Sequence, residues 1–343
     1  MSEIRVNNIT NRDGSTGTTV AGIPVVDSTS HFVVPSGDTA ERGSRGRGVF
    51  GGAAPETNTI DYITIATTGN ASDFGDLTQT RRRPSAASSA TRGVWYAGRF
   101  SGSYQTTIDY VTISATGNAF DFGDVTVAGF SGAGTGNNTR GLFVGGYNNS
   151  INPTVRNQDN ISYITFSSLG NASDFGSLTQ ARRELGACSS SVRGVFMGGK
   201  FTTTAPSYSN AGNTIDYVTI ATTGNAQDFG DLINTITTGS SLSSTTRGVY
   251  GGGAPGMSNQ IQYITIASTG DATDFGDLTQ ARQLLGATSN SIRGVFADGS
   301  TPTSVNTIDY ITIATTGNAT DFGDGTESRN SVAGCSDSHG GLG

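Results

Sequence analysis

A motif built on Asp-Phe-Gly-Asp returns six times along this chain of 343 residues. Its phenylalanines, 46 to 54 residues apart, are Phe74, Phe122, Phe175, Phe229, Phe275 and Phe322. The third copy ends in serine, at Ser177, and the other five end in aspartate. A period of this length, carried by strand-like segments, is typical of repeat folds such as propellers. We therefore expect the six phenylalanines to be structural residues, buried between neighbouring units.

Each repeat contains four short segments with strand character. In the fourth repeat these are a small-residue segment at 181–190, an apolar run at 193–199 closed by a glycine pair, a β-branched and aromatic segment at 214–221, and the motif segment at 226–232. β-branched and aromatic residues favour strands, and Gly and Asn favour the turns between them. Helical periodicity is absent. The predicted fold class is all-β, with six four-stranded blades.

The two ends of the chain predict how the ring closes. The first unit opens at 47–52, already in its second strand, and residues 36–43 lack the inner-strand pattern. Residues 329–337 have that pattern but no further blade to join, so we expect them to pair beside the first unit and remove the open sheet edges. The predicted domains are a propeller at 36–343 and an N-terminal anchor segment at 1–35, which is too short to bury its apolar runs alone.

The repeats resemble the kelch repeat, which has an Arg before the inner strand, a Gly pair after the second strand, a Tyr in the third and an aromatic residue in the fourth. In this sequence those places are Arg182, Gly198-Gly199, Tyr217 and Phe229. The fourth-strand aromatic is Phe where kelch blades usually carry Trp, so the version is divergent. The resemblance implies a six-bladed kelch-like β-propeller that serves as a binding scaffold.

Composition excludes several classes of function. The net charge is −7, and Lys200 is the only lysine among 20 basic residues, which argues against nucleic-acid binding because phosphates require a basic stripe. No apolar stretch reaches the roughly 18 residues of a membrane span. The first residues lack the apolar core of a secretory signal.

Residues that could do chemistry are few. The histidines, His31 and His339, belong to no recognisable triad, and no cysteines or histidines have zinc-ligand spacing. Cys188 and Cys335 occupy the same repeat phase, and we expect two buried free thiols on separate inner strands. We expect no catalytic residue, cofactor or metal, although paired carboxylates of a glycosidase would meet only in space.

The motif aspartates have a chemical and a structural interpretation. They could ligate calcium or form an Asp-box-like turn, but calcium requires six to eight oxygen ligands, and alanine occupies the place where an Asp-box has Ser or Thr. The interpretation we favour is that each Asp caps a turn by accepting bonds from nearby backbone N–H groups.

An arginine precedes each second strand, at Arg47, Arg92, Arg140, Arg193, Arg247 and Arg293. These arginines could ring the channel mouth and attract an anion. We favour the alternative in which each one spans neighbouring blades and pairs with a repeat Asp.

The connections between second and third strands vary in length, which places the variation on one face of the ring, where repeat folds acquire specificity. Aromatic and amide side chains there suit sugar or protein surfaces. The candidate binding-loop residues are Tyr104, Tyr147, Asn148, Asn149, Phe201 and Tyr208.

The N-terminal sequence at 2–14 resembles the N-termini of tailed-phage virion proteins, particularly fibre-like and decorating proteins of marine phages, and the blade sequence at 308–324 resembles repeats in such proteins. The resemblance implies a non-enzymatic virion structural protein, assembled in the host cytoplasm and present in many copies. Residues 1–35 would contact other virion proteins, and the propeller would attach to a host-surface glycan or protein. The alternatives are a propeller glycosidase or depolymerase acting on host glycans, and a cellular kelch-type adaptor that binds a protein.

Overall fold

The computed structural model describes three stretches of the chain and four further residues: 46–150, 156–201, 210–342, 19–20 and 23–24. The chain divides into two compact units, Met1–Glu41 and Arg42–Gly343. In the first unit, strands β1 (Thr19–Val20) and β2 (Ile23–Pro24) pair antiparallel. The rest of the predicted anchor at 1–35 lies outside the described residues, so its docking role stays a prediction.

The first three blades are built from consecutive antiparallel strands. Blade 1 contains β3 (Arg47–Ala53), β4 (Thr57–Thr64) and β5 (Ser72–Arg81). Blade 2 contains β6 (Ser85–Ser88), β7 (Arg92–Tyr96), β8 (Arg99–Phe100), β9 (Ser103–Thr112) and β10 (Phe120–Gly129). Blade 3 contains β11 (Ala133–Gly136), β12 (Arg140–Tyr147), β13 (Asn157–Thr165) and β14 (Ser173–Ser177).

The last three blades follow the same plan. Blade 4 contains β15 (Arg182–Arg183), β16 (Gly186–Ser189), β17 (Arg193–Met197), β18 (Lys200–Phe201), β19 (Asn210–Thr219) and β20 (Gln227–Ile236). Blade 5 contains β21 (Ser240–Ser243), β22 (Arg247–Gly251), β23 (Gln260–Thr265) and β24 (Thr273–Asp277). Blade 6 contains β25 (Gly286–Ser289), β26 (Arg293–Ala297), β27 (Val305–Thr312) and β28 (Thr320–Arg329). The chain then forms β29 (Ala333–Ser336) and a 3-10 turn, η1 (Gly340–Leu342).

The six sheets form a closed ring. The inner strands β6, β11, β16, β21, β25 and β29 contact one another in sequence, and β29 returns to contact β6. The protein is therefore a six-bladed β-propeller, as its sequence predicts.

The C-terminal strand supplies the inner strand of blade 1. β29 pairs antiparallel with β3, with Ala333 opposite Gly51 and Ser336 opposite Gly48. This confirms the predicted closure, although the paired segment is shorter than 329–337 because Arg329 still belongs to β28. The segment that follows blade 6 thus pairs with blade 1 and joins the first blade to the last.

The hydrophobic core lies between blades. The six motif phenylalanines are buried, at 2–3% exposed, and each packs edge-on against the tyrosine of its own third strand. Each core cluster also includes side chains of the next blade, as where Phe229 and Leu232 of blade 4 meet Tyr250 and Ile264 of blade 5. The prediction that these phenylalanines are buried between blades is confirmed.

The motif glycine lets neighbouring blades approach closely. Gly276 has a φ of +145°, and a Cβ there would lie 2.5 Å from the backbone carbonyl of Gly317 in the next blade. The N–H of Gly317 donates to the carbonyl of Phe275, so the turn of one blade is bonded directly to the motif of its neighbour. A side chain would separate these two backbones.

Buried ion pairs cross four of the six seams between blades. The aspartate of each pair belongs to a third strand, and the arginine either ends the fourth strand of the preceding blade or lies in the connection that follows that strand. The pairs are Arg81–Asp109, Arg182–Asp216, Arg282–Asp309 and Arg329–Asp61. At the other two seams both members are absent: Gly129 faces blade 3, which has Ser162, and Ile236 faces blade 5, which has Gln262. A buried charge left without its partner is costly, so the two residues are present or absent together.

Candidate functional site

The antiparallel plan gives the ring two different faces. We call one the loop face; it carries the connections between second and third strands and those leading into each inner strand. Its described connections are 54–56, 82–84, 97–102, 130–132, 148–150, 178–185, 198–201, 237–239, 252–259, 278–285, 298–304 and 330–332. The opposite face, the tail face, carries the remaining connections and residues 337–342.

The C-terminal tail covers the central channel on the tail face. Gly340, Gly341 and Leu342 are buried, and a Cβ on Gly341 would lie 2.0 Å from the carbonyl oxygen of Gly136 on an inner strand. Nε2 of His339 lies 2.9 Å from the carbonyl oxygen of Ser88. This histidine therefore contacts the channel wall, within a close-packed tail.

Five serines link the tail-face ends of the inner strands. Each serine donates a hydrogen bond of 2.6–2.8 Å to a main-chain carbonyl of the neighbouring inner strand. In order around the ring, the serines are Ser88, Ser336, Ser289, Ser243 and Ser189. The last bond ends at Gly136, which has no hydroxyl to continue the series. The contact from His339 reaches the carbonyl of Ser88 on the other side of that gap, where the tail packs.

The channel itself offers little chemistry. Small side chains of the inner strands line it, enclosing about 120 Å³ towards the loop face and about 50 Å³ towards the tail face. Cys188 and Cys335 are buried and free, as predicted. Burial raises the pKa of each thiol to about 12, so both stay protonated and are poor nucleophiles at neutral pH.

A ring of left-handed residues surrounds the loop-face mouth of the channel. One non-glycine residue before each inner strand has φ between 51° and 63°: Arg83, Ser131, Glu184, Thr238, Leu284 and Ser331. At five seams its N–H donates to the carbonyl of the equivalent residue in the preceding blade. The bonds hold a conformation that costs free energy, and its repetition in every blade identifies it as architecture.

Charged and aromatic side chains from blades 2, 3 and 4 meet on the loop face. We call this group the arginine–aromatic cluster, and its members are Arg83, Arg99, Tyr104, Phe130, Tyr147, Arg183, Glu184 and Lys200. The rings of Tyr104 and Phe130 stack with centroids 5.8 Å apart, and Phe130 meets Tyr147 edge-on at 5.6 Å. The Arg183 guanidinium lies 4.5 Å from the centroid of Tyr147, and that of Arg99 lies 5.9 Å from Tyr104 and from Phe130.

Glu184 is the carboxylate at the centre of these cations. It accepts a hydrogen bond of 2.8 Å from Arg83 and one of 3.0 Å from Thr237, and it lies 3.0 Å from the Lys200 ammonium. Burial by itself would raise the pKa of Glu184, but Arg83, Lys200 and Arg183 outweigh burial and lower it. Glu184 is therefore ionised at neutral pH and held in place from several sides.

The structure brings several of the predicted binding-loop residues together. Tyr104 and Tyr147 belong to the cluster, and the Tyr104 hydroxyl donates to Asn149. Asn148 is only 4% exposed; it donates 2.8 Å to the carbonyl of Ala128 and accepts from the N–H of Ser150, so it orders its own loop.

Phe201 and Tyr208 are the two remaining predicted binding-loop residues. Phe201 is half-buried on β18, directly after Lys200 of the cluster. Tyr208 lies outside the described residues. A ligand-binding role for all six stays a prediction.

Sequence reasoning missed most of the charged members of the cluster. Arg83 and Arg183 each end a short arginine run just before an inner strand, at 81–83 and 182–183. Those runs and the single lysine, Lys200, are unusual in an acidic chain and were the available signal. Their convergence depends on loop geometry that the repeat pattern does not encode.

The six arginines before the second strands span neighbouring blades, as predicted, but do not pair with the repeat aspartates. Each guanidinium lies 4.5–5.0 Å from the tyrosine ring of its own blade. Each also donates to a main-chain carbonyl of the next blade; Arg247, for example, reaches Ile313 at 3.0 Å. The pairing part of the prediction was wrong because carbonyl oxygens lie within reach, whereas the first aspartate of each motif is exposed.

The motif aspartates also differ from the expected turn caps. The backbone N–H of Asp76 donates 3.1 Å to the side chain of Asn118 in the next blade, and its carbonyl accepts from Ala119 at 2.7 Å. Of the described motif carboxylates, only that of Asp124 has a hydrogen bond, from Thr106. The motif therefore joins blades mainly through its backbone and its phenylalanine.

Within the part of the chain that the structure describes, no three His, Cys, Asp or Glu side chains are grouped so as to hold a metal ion. The same residues include no helix with the length and apolarity that a membrane crossing requires. Comparison with protein-family models and with curated proteins finds no match.

Proposed function

We propose that this protein is a non-enzymatic attachment module of a tailed-phage virion, and that its loop face contacts a glycan or protein on the host surface. The arginine–aromatic cluster is the observation that supports this proposal. Aromatic rings beside a few well-placed polar groups are typical of ligand sites. The cluster lies on loops held by a rigid ring, which is where binding residues are most often found.

The contrast between repeated and unrepeated residues supports the loop face in particular. Phenylalanines, glycines and arginines that recur in all six blades are used between blades. The cluster, in contrast, belongs to blades 2, 3 and 4 only, and it interrupts the near six-fold symmetry of the ring. A group that architecture does not require in every blade is a better candidate for recognition.

The enzyme alternative has weaker support. A glycosidase needs a carboxylic acid with a raised pKa as proton donor, together with a second carboxylate. Glu184, the buried carboxylate of the loop-face mouth, has a lowered pKa. Arg83 and Lys200 hold it as a structural anion. Burial raises the pKa of Asp298, but this residue and its neighbour Asp61 are each 1% exposed and both accept hydrogen bonds from Arg329, so neither is open to a substrate.

The virion part of the proposal draws on the N-terminal sequence at 2–14, which resembles those of virion proteins. The ring closes through β29, so residues 1–35 are not needed as an inner strand. In this proposal they dock on other virion proteins, and the loop face points away from the particle.

The attachment role is tested with labelled full-length protein on a glycan array and on intact cells of the host. We expect retention on the cells and a loss of at least tenfold in apparent affinity for the double variant Tyr104→Ala, Tyr147→Ala, since aromatic anchors dominate such sites. Phe120→Ala, at an exposed ring on the outer strand of blade 2, is the matched control and should bind normally. Absence of retention would refute the role, and release of new reducing ends from the glycan would favour the depolymerase.

A further inference from the structure

The arginine–aromatic cluster carries a surplus of positive charge. Its cations are Arg83, Arg99, Arg183 and Lys200, and its only carboxylate is Glu184. Four cations against one anion leave three positive charges on one face of a chain whose net charge is −7. A local field opposite in sign to that of the whole protein attracts an anionic ligand to this place.

The cluster also has guanidinium N–H groups that donate to no acceptor among the described residues. A guanidinium has five N–H groups. Arg183 uses Nη1 for Asn157, Arg99 uses Nε for Gly102, and Arg83 uses Nη1. That Nη1 of Arg83 donates to both Glu184 and Ser131, and no further acceptor among the described residues takes a hydrogen bond from these three guanidiniums. The side chains of Arg83 and Arg183 are 28% and 19% exposed, so the remaining N–H groups can reach a ligand.

Aromatic rings hold the guanidiniums in place without using their donors. Arg183 lies against Tyr147, and Arg99 lies 5.9 Å from the ring centroids of both Tyr104 and Phe130. Stacking of this kind fixes the plane of the guanidinium, and a fixed fork binds a carboxylate through two parallel hydrogen bonds. Glu184 already shows that a carboxylate fits among these cations.

We propose that the cluster binds the carboxylate of a uronic acid in an acidic glycan, an inference that rests on the attachment role proposed above. The guanidiniums bind the carboxylate, and the faces of Tyr104 and Tyr147 contact the apolar side of the sugar ring. Nucleic acid fits less well, because it requires a stripe of cations along a backbone rather than three surplus charges at one place.

The test is isothermal titration of the full-length protein with tetragalacturonic acid. The comparison ligands are its fully methyl-esterified form, which lacks the charges, and a sulfated oligosaccharide of equal length. We expect binding to the free acid that weakens as salt rises, and at least tenfold weaker binding to the ester. Arg99→Gln and Arg183→Gln should each weaken binding by about tenfold or more, which is the usual loss for one charge-assisted bond.

Two variants separate this role from a general effect of charge. Arg99→Lys keeps the charge but loses the planar fork, so it should bind nearly as weakly as Arg99→Gln. Arg82→Gln removes an equal charge from the same face at a residue 3.9 Å from Glu56 and outside the cluster, and it should bind normally. Thermal unfolding of each variant checks that the ring remains folded.

Each contrary result has a distinct meaning. Equal affinity for the acid and its ester, or for the acid and the sulfated sugar, would overturn the carboxylate assignment. Host-cell retention that survives Arg99→Gln and Arg183→Gln would also overturn it, while leaving the attachment role intact. Failure to bind both the acid and the host surface would refute the attachment role itself.

Discussion

Arg329 at the end of the last blade donates a hydrogen bond of 2.9 Å to Asp61 in the first blade, and both side chains are almost completely buried. The pair lies at the seam that β29 closes, so the ring is joined there by a strand and by an ion pair. Equivalent pairs occupy three other seams.

The ion pairs should act as units. Asp309→Gln leaves Arg282 buried without its partner and should lower the free energy of unfolding by about 3–5 kcal/mol. The double variant Arg282→Ile, Asp309→Gln copies Ile236 and Gln262 at the seam between blades 4 and 5, and it should recover much of that loss. Urea unfolding in a double-mutant cycle measures the coupling. Strictly additive effects would contradict the account.

The motif phenylalanines should contribute as core residues. Phe229→Ala removes a ring that is 2% exposed and packs against Tyr217, and it should destabilise the protein by about 3–5 kcal/mol. Phe120→Ala, where the ring is 65% exposed, should change stability by no more than about 0.5 kcal/mol. Thermal or urea unfolding distinguishes them, and equal effects would show that burial does not decide the cost.

The cost of replacing a motif glycine should depend on contact with the next blade and not on φ alone. Gly276 and Gly270 have similar φ values, 145° and 151°. A Cβ added to Gly276 would lie 2.5 Å from the backbone of Gly317, whereas a Cβ added to Gly270 would have no atom within 4 Å. Gly276→Ala should therefore cost about 1–3 kcal/mol more than Gly270→Ala, because overpacking adds to backbone strain. Equal losses of stability would refute the contact argument.

Asp298 should give the ring a specific pH dependence. Burial raises the pKa of Asp298 to about 6, and the nearby Asp61 carboxylate adds to the increase. The hydrogen bond from Arg329 and the charges of Arg329 and Arg282 act in the opposite direction but do not outweigh burial. In the unfolded chain this carboxyl group ionises near pH 4. The contribution of Asp298 to the free energy of unfolding is therefore complete below pH 4, and it falls by up to about 3 kcal/mol as the pH rises to about 6. Asp298→Asn should remove that slope. Unfolding curves from pH 4 to 7 that stay parallel would contradict it.

Periodicity made much of the fold predictable. The buried phenylalanines, the four strands of each blade and the closing strand follow from residues that recur at fixed phase, such as Phe229 and Tyr217. The pairing of Arg282 with Asp309 was also visible in principle, since arginine and aspartate disappear together at two seams. It was missed because the arginine before each second strand is the more regular signal.

The candidate site was less predictable. Tyr104 and Tyr147 could be selected as aromatic residues of variable loops, but their contacts with Arg99 and Arg183 join three blades. Such contacts arise from loop conformations, including the left-handed backbone at Glu184, that a period of strands does not specify. The repeat pattern thus predicts the residues of the scaffold but not the cluster residues that depart from the pattern.

The central claim, that this is a virion attachment module with its loop face outward, is tested most directly by cryo-EM of the particle from which the chain comes. The account predicts density for the six-bladed ring on the particle, with residues 1–35 against another virion protein. It also predicts that Tyr104 and Arg183 face the solvent, away from the particle. A ring whose loop face packs against the particle, or a particle that lacks the ring, would contradict the claim.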